Sequence, residues 1–204
     1  MQKKRSRIQI INQQKVLDAG TEIFAKYGSR GATIDQIADM AGMSKPNLLY
    51  YFSNKKDIYR SVLEHTLNKW LLCLMEWEEA GDPEETITGY IGMKFEFSRD
   101  HAAASQVFAN EILEGAPILK DLLGEDLKRL VGENVRVIES WIRAGKIKPI
   151  EPVHLIFMIW AVTQHYADFS AQIETLTGKT LKDEVFFRQA KESVTQIILN
   201  GVLK

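Results

Sequence analysis

Apolar residues recur along this chain at intervals of three and four and show no sustained alternation, so the spacing predicts helices throughout and no sheet. Val16, Ala19, Ile23 and Tyr27 mark one face of a first helix over about residues 10–27, and Gly28 stops it. Ile34, Ile37, Ala38 and Ala41 form the inner face of a very short second helix ended by Gly42. Thr33 and Gln36 make a capping box at its start, the hydroxyl accepting an early N–H and the amide reaching back. Ser44 can cap a third short helix, 45 to about 51, with Pro46 in the first turn, where a missing N–H costs little. A longer helix over 55–77 carries Ile58, Val62, Leu63, Leu67, Trp70, Leu71 and Leu74. After the linker Gly81-Asp82-Pro83 the pattern predicts helices at 84–100, 102–114 and 118–144, broken by glycine or Gly-Ala-Pro. Residues 145–152 hold two prolines and end the long helix. A helix over 152–176 then contains eight consecutive apolar residues, 155–162, and the last, 181–200, sets Val185, Phe186, Ala190, Val194, Ile197 and Ile198 on one broad face. The expected fold is all-α with about nine helices: a three-helix head, residues 1–54, and a helical body, residues 55–204.

Helices of seven or eight residues do not persist alone, so those of the head must share a core, expected to be Ile23, Phe24, Ile37, Ala38, Leu48, Leu49 and Phe52. Within it Ile37-Ala38-x-x-Ala41-Gly42-x-Ser44 puts small residues where two helices approach and turn, as a helix-turn-helix requires. The third helix then presents Lys45, Asn47, Tyr50 and Tyr51 outward. Helix starts and the hydroxyls of Thr33 and Ser44 can hold phosphates, Lys45 and Lys55 can neutralise them, and asparagine or tyrosine can touch base edges. Ser44 serves equally as a plain cap. One of the two tyrosines packs inward and the other faces out, and the spacing alone does not decide which.

With 45 % hydrophobic and 26 % charged residues among 204, the chain can bury a substantial core, which excludes disorder and collagen. A single cysteine, Cys73, excludes an internal disulfide and a cysteine-rich zinc site; it reads as a small buried hydrophobe in a reducing compartment. No apolar run is long enough to span a membrane, and no signal-peptide core follows the basic N-terminus, so a soluble, cytoplasmic protein is expected. The formal net charge of -1 hides an asymmetry: residues 1–60 carry 11 Lys or Arg against 5 Asp or Glu, and the remainder 15 against 22. The basic arm Lys3, Lys4, Arg5 and Arg7 belongs to that first part, and no acidic residue falls between Gly42 and Lys56. A local basic field of this kind is the electrostatic footprint of nucleic-acid binding. Catalysis is not expected. His165, Asp168 and Ser170 sit along one helix with no oxyanion site, no third metal ligand is evident, and no phosphate loop or dinucleotide fingerprint appears. Neither a metal nor a cofactor is therefore expected.

Eight successive apolar residues cover every face of two helical turns, so the helix over 152–176 must be surrounded, by its own subunit or by a second one. Helices 152–176 and 181–200 from two subunits, packed as a four-helix bundle, would hide Phe157, Ala161, Phe186, Ala190 and Ile197, with His165 at the same face. Polar groups set into apolar faces are the candidates for binding a small molecule. Trp160 and Gln164 lie four apart, and with Trp70 they offer an indole to stack on a planar heterocycle and an amide to match alternating N–H and C=O groups. Core packing accounts for the same residues. Lys94, Ser98, Phe108 and Asp168 are weaker candidates, Lys94 being expected on an exposed helical surface.

Residues 33–55, with Thr33, Gln36, Ile37, Ala38, Ala41, Gly42, Ser44, Lys45, Tyr50, Tyr51, Phe52 and Lys55 at their spacing, resemble the DNA-binding signature of the TetR family of bacterial regulators. The resemblance implies an all-helical homodimer whose third helix enters the major groove of operator DNA and whose body binds a small effector. Further runs at 94–100, 114–117, 154–169 and 183–187 are similar to the pyrimidine-utilisation regulators within that family. That likeness implies a repressor released from DNA by uracil, or thymine, and favours Trp160 and Gln164 at the effector, with Trp70, Lys94, Ser98 and Phe108 as the further candidates. The same fold sensing an unrelated small apolar or aromatic ligand is the alternative. Pro46 departs from the threonine expected at that point of the DNA-binding helix, and the linker after Trp77 also differs.

Overall fold

The computed structural model describes residues 7–74, 77–122 and 125–204; the basic residues 3–5 and the Cys73 side chain lie outside the described residues. Among the described residues eleven helical segments follow one another: α1 (Arg7–Gly31), α2 (Ile34–Met40), α3 (Lys45–Tyr51), α4 (Lys55–Leu74), α5 (Pro83–Asp100), α6 (Ala102–Leu113), α7 (Leu119–Leu122), α8 (Glu125–Arg143), α9 (Pro152–Asp168), α10 (Ser170–Thr177) and α11 (Glu184–Val202). No strand occurs among the described residues. The helix starts follow their caps. Thr33 Oγ1 accepts from Gln36 N at 3.2 Å while Gln36 Oε1 accepts from Thr33 N at 2.9 Å, completing both halves of the capping box. Ser44 accepts from Asn47 N, Asp82 from Glu85 N and Asp183 from Phe186 N. Gly28 breaks α1 at φ 69°, ψ 171°, where the apolar face ends, and Gly42 takes φ +65° in the turn between α2 and α3, a backbone region costly for other residues.

One predicted helix is divided. Within the stretch 118–144 the described residues are helical in α7 and α8, and residues 123–124 lie outside the description. The stretch 152–176 forms α9 and α10, because the backbone leaves helical geometry at Phe169 (φ -113°, ψ 29°) while its N–H still bonds His165 O. No glycine or proline marks that break; the Phe169 ring lies 4.9 Å from and nearly parallel to that of His165.

Contacts gather the chain into two compact units. One holds the residues up to Leu67 together with Gln106–Leu122, and the other holds Asn68–Ser105 and Leu123–Lys204. The unit that holds α1 to α3 also takes in most of α4 and a returning segment of α6 and α7.

The core of the first unit contains Val16, Ile23, Phe24, Ile37, Leu48, Phe52, Ile58, Val62 and Leu63, all nearly or fully buried. Leu49, expected among them, is 40 % exposed, because Leu48 and Phe52 occupy the inward line of α3 and the next residue is turned about 100° away. The turn from α6 into α7 is held by Glu111, 1 % exposed, whose carboxylate accepts from Ile118 N at 2.6 Å, Leu119 N at 3.2 Å and the Tyr59 hydroxyl at 3.2 Å. Burial and the Glu111 charge push the Tyr59 phenol well above its ordinary range, so it remains the donor of this contact at neutral pH.

In the second unit α5 packs against α9 and α11, and α8 against α9. Ile87, Ile91 and Phe95 from α5, Ile138 and Trp141 from α8, and Ile156 and Ile159 from α9 are fully or almost fully buried. The eight-residue apolar run is covered on one side only: Leu155, Ile156 and Ile159 face the core, whereas Phe157 and Met158 are 48 % and 54 % exposed.

Candidate functional site

On the first unit, α3 carries its polar positions outward as the spacing required. Ser44, Lys45, Pro46 and Asn47 are exposed, as is Thr33 at the start of α2. Tyr50 is 71 % exposed and Tyr51 half-buried, their rings edge-on at 5.1 Å, which settles which of the pair faces out. Lys45 Nζ lies 2.9 Å from Asp35 Oδ2, and both side chains are largely in water, where such a pair is weak and yields readily to another anion. Lys55 has a different occupation. Its ammonium donates to Arg30 O at 3.1 Å and Ala32 O at 2.8 Å, closing the end of α1 rather than standing free.

On the second unit, positions 90, 94 and 98 of α5 fall one helical turn apart on a single buried line: Tyr90, Lys94 and Ser98 are each 2–3 % exposed. Lys94 is thus interior, contrary to the exposed surface expected for it, because this face of α5 turns toward α9. Its Nζ sits 4.3 Å from the centre of the Trp70 ring, and that indole meets Phe97 edge-on at 5.5 Å. The Ser98 hydroxyl donates to Thr163 O at 3.0 Å, and Trp160 Nε1–H donates to the Tyr90 hydroxyl at 2.6 Å. The Trp160 indole N–H is therefore already engaged, and its contribution to a ligand would come from the ring face. Gln164 is half-buried one turn further along α9 and makes no side-chain hydrogen bond among the described residues. At the end of α9, Asp168 Oδ1 accepts from the Ser105 hydroxyl at 2.6 Å. Burial pushes the Asp168 carboxyl up, opposed by the Ser105 hydrogen bond and by the charges of Lys94 and His165.

Trp70, Lys94, Ser98, Trp160 and Gln164 thus all belong to the second unit, along α4, α5 and α9. Phe108, the remaining candidate, is buried in the first unit. The sequence pattern points to none of Tyr90, Thr163 and Ser105, and to Asp168 only as a weaker candidate. The four-residue spacing of Tyr90, Lys94 and Ser98 in an otherwise apolar helix was the available signal. An interior ammonium and carboxylate are costly unless each meets a complementary charge or dipole. Together with two indoles and a carboxamide, they suit a small planar molecule carrying both N–H and C=O groups.

A third feature is a bare apolar face on α9 to α11. Phe157, Ala161, His165 and Phe169 are exposed, Val185 is 48 % and Ile197 71 % exposed, and Phe186 is half-buried. Ala190, expected on this face, is 8 % exposed and packs into the subunit's own core. Among the described residues no helix is long and apolar enough to cross a membrane, and no group of three or more His, Cys, Asp or Glu is placed to hold a metal ion.

Residues 16–62 match the family model of bacterial regulatory proteins of the tetR family, and residues 63–204 match that of the YcdC-like protein, C-terminal region. The chain is 48 % identical over 199 residues to the HTH-type transcriptional regulator RutR of Escherichia coli strain K12, spanning 98 % of this chain and 94 % of that protein. It is 28 % identical to the HTH-type transcriptional repressor NicS of Pseudomonas putida over 65 % of this chain and 62 % of the other. Among solved structures it resembles a putative transcriptional regulator from Streptomyces coelicolor, at TM-score 0.69 and 20 % identity over 94 % of this chain and 98 % of that one. The ketosteroid transcriptional regulator KstR2 of Mycobacterium tuberculosis gives TM-score 0.68 and 20 % identity over 94 % and 95 %. At such identities the solved structures share the fold.

Proposed function

The chain belongs to the TetR family of bacterial transcriptional regulators, which are not enzymes, and from that premise we propose a cytoplasmic, homodimeric repressor that a small pyrimidine base, uracil or thymine, releases from operator DNA. The observation that carries this reading is the 48 % identity to RutR along 98 % of the chain, with the runs similar to pyrimidine-utilisation regulators lying in the effector-facing body. The buried line of α5 and its neighbours on α9 support it chemically. A pyrimidine dione is flat, uncharged and edged by alternating C=O and N–H groups. The Lys94 ammonium can donate to a carbonyl, the Gln164 carboxamide can both donate and accept, and the Trp70 and Trp160 rings can cover a face. In the head, Thr33, Ser44, Lys45, Pro46, Asn47, Tyr50 and Tyr51 form the DNA-contacting set. Lys55 acts behind it by holding the end of α1.

The base releases DNA by binding the DNA-incompetent arrangement more tightly, and a hundredfold preference corresponds to about 2.7 kcal/mol. The covalent route between the two units includes α4, whose residues up to Leu67 belong to the first unit and from Asn68 to the second. A shift of that helix on ligand binding alters the spacing of the two recognition helices in a dimer, which must match successive major grooves about 34–36 Å apart.

The test is operator binding by fluorescence anisotropy, using duplexes from upstream of the protein's own gene and its neighbours. Release at micromolar uracil or thymine is the expected result. Tight, salt-sensitive binding unmoved by either base would overturn the pyrimidine assignment in favour of another small planar or apolar ligand. Absence of duplex binding would overturn the repressor reading itself.

A further inference from the structure

The two tyrosines that end α3 are each tied to the first turns of α1. Asn12 Nδ2 lies 2.9 Å from the Tyr51 hydroxyl oxygen, and Gln9 Nε2 lies 3.4 Å from that of Tyr50. Positions 9 and 12 are three apart, hence on one face of the helix. This end of α1 is otherwise open, with Arg7, Ile8 and Ile11 exposed.

A carboxamide N–H can only donate, so in both contacts the phenol oxygen is the acceptor and its own hydrogen remains available. That hydrogen prefers the plane of the ring. With the Asn12 amide on one side of the oxygen, it is directed to the other, and no acceptor for the Tyr51 hydroxyl hydrogen lies among the described residues. A hydroxyl that accepts one hydrogen bond is polarised into a better donor for the next. The partner that fits is acceptor-only and anionic, which describes a backbone phosphate oxygen of duplex DNA.

We infer that Asn12 is a positioning residue of the DNA interface: its carboxamide accounts for the Tyr51 lone pair and presents the Tyr51 hydroxyl hydrogen to a DNA phosphate. Gln9 does the same for Tyr50 across a longer contact. The opening turns of α1 thereby belong to the functional surface, although neither amide needs to touch DNA. The inference rests on the reading of the head as DNA-contacting and adds to it a specific route from α1 to the phosphate.

The alternative is a purely structural tie between α1 and α3, and a double-mutant cycle separates the two. Operator affinity is measured for the full-length protein, for Asn12→Ala, for Tyr51→Phe and for the double variant, with thermal unfolding and uracil release recorded in parallel. One oriented hydrogen bond corresponds to a loss of about five- to tenfold in affinity for Asn12→Ala. In the Tyr51→Phe background the same change should cost less than about twofold, since no hydroxyl is left to orient. Asn12→Asp should weaken binding more than Asn12→Ala in the wild-type background, because a carboxylate takes the Tyr51 hydrogen for itself. The Phe background also isolates the part due to the added charge. Should Asn12→Ala lower thermal stability markedly, Asn12→Gln, which keeps the donor, must recover most of the DNA affinity. Equal losses in both backgrounds, or wild-type affinity in Asn12→Ala, overturn the inference while leaving the DNA-binding reading intact. Absence of duplex binding by the unmodified chain removes both.

Discussion

Lys45 and Lys55 have the same chemistry and stand ten positions apart in the same basic stretch, yet their ammonium groups have different tasks. Lys55 donates to two carbonyls at the end of α1, which no helical N–H reaches, and Lys45 meets only an exposed carboxylate. Lys55→Met should leave those carbonyls short of a donor, at a cost of about 1–2 kcal/mol. For a chain of this size that corresponds to roughly 2–8 °C in Tm by calorimetry. The salt dependence of operator binding should stay nearly unchanged. Lys45→Ala should do the converse: Tm within about a degree of wild type, affinity reduced alike on all sequences, and the slope of log affinity against log salt smaller by about one. A reversal of these two profiles would reassign both lysines. The sequence shows one cation at the start of a short helix and another after its end. Which of them is engaged depends on where the α1 carbonyls end, a matter of three dimensions that no local spacing encodes.

Among the helices, the ones whose ends carry their own chemistry were legible and the ones that break without it were not. Thr33 with Gln36, and Ser44, act on backbone N–H groups three residues away, so a reader of the chain sees both partners at once. The break at Phe169 has no such marker, and the turn at Glu111 depends on Tyr59, 52 residues earlier. The face of α5 is an intermediate case. The spacing of Tyr90, Lys94 and Ser98 was visible, but a lysine in that line reads as surface until α9 is seen to cover it. An ammonium 3 % exposed is poorly explained by stability, since apolar replacements of buried charges are often neutral or stabilising. Lys94→Met keeps the length of the side chain and should therefore leave Tm unchanged or raise it by about a few degrees. The response of the operator complex to uracil should fall by at least about tenfold in the concentration required, the size of one charge-assisted hydrogen bond. A variant that unfolds at much lower temperature would make Lys94 structural, and one that responds normally would remove it from the effector site.

For the whole molecule, the two compact units and the bare face on α9 to α11 raise the same question of what a single chain leaves unfinished. Phe157, Met158, Phe169, Val185 and Ile197 are all at least 48 % exposed, a concentration of large apolar groups that isolated soluble subunits seldom present to water. A recognition helix of seven residues, for its part, reaches too few base pairs to bind a single site tightly, and a two-fold pair supplies a second half-site at high effective concentration. In the proposed homodimer, a second copy seated on that face would answer both. Ile197→Glu tests this economically, because the side chain is 71 % exposed in the subunit and a surface substitution there should change subunit stability by less than about 0.5 kcal/mol. In a dimer the same glutamate is buried across the two-fold axis without a partner, and light scattering should report monomer at micromolar protein. Operator affinity should fall by about a hundredfold or more as the second head is lost. Thr88→Glu, exposed on α5, serves as the control and should remain dimeric. An Ile197→Glu protein that stays dimeric and binds operator as wild type would move the two-fold contact to another face. The apolar surface of α9 to α11 would then need a different partner.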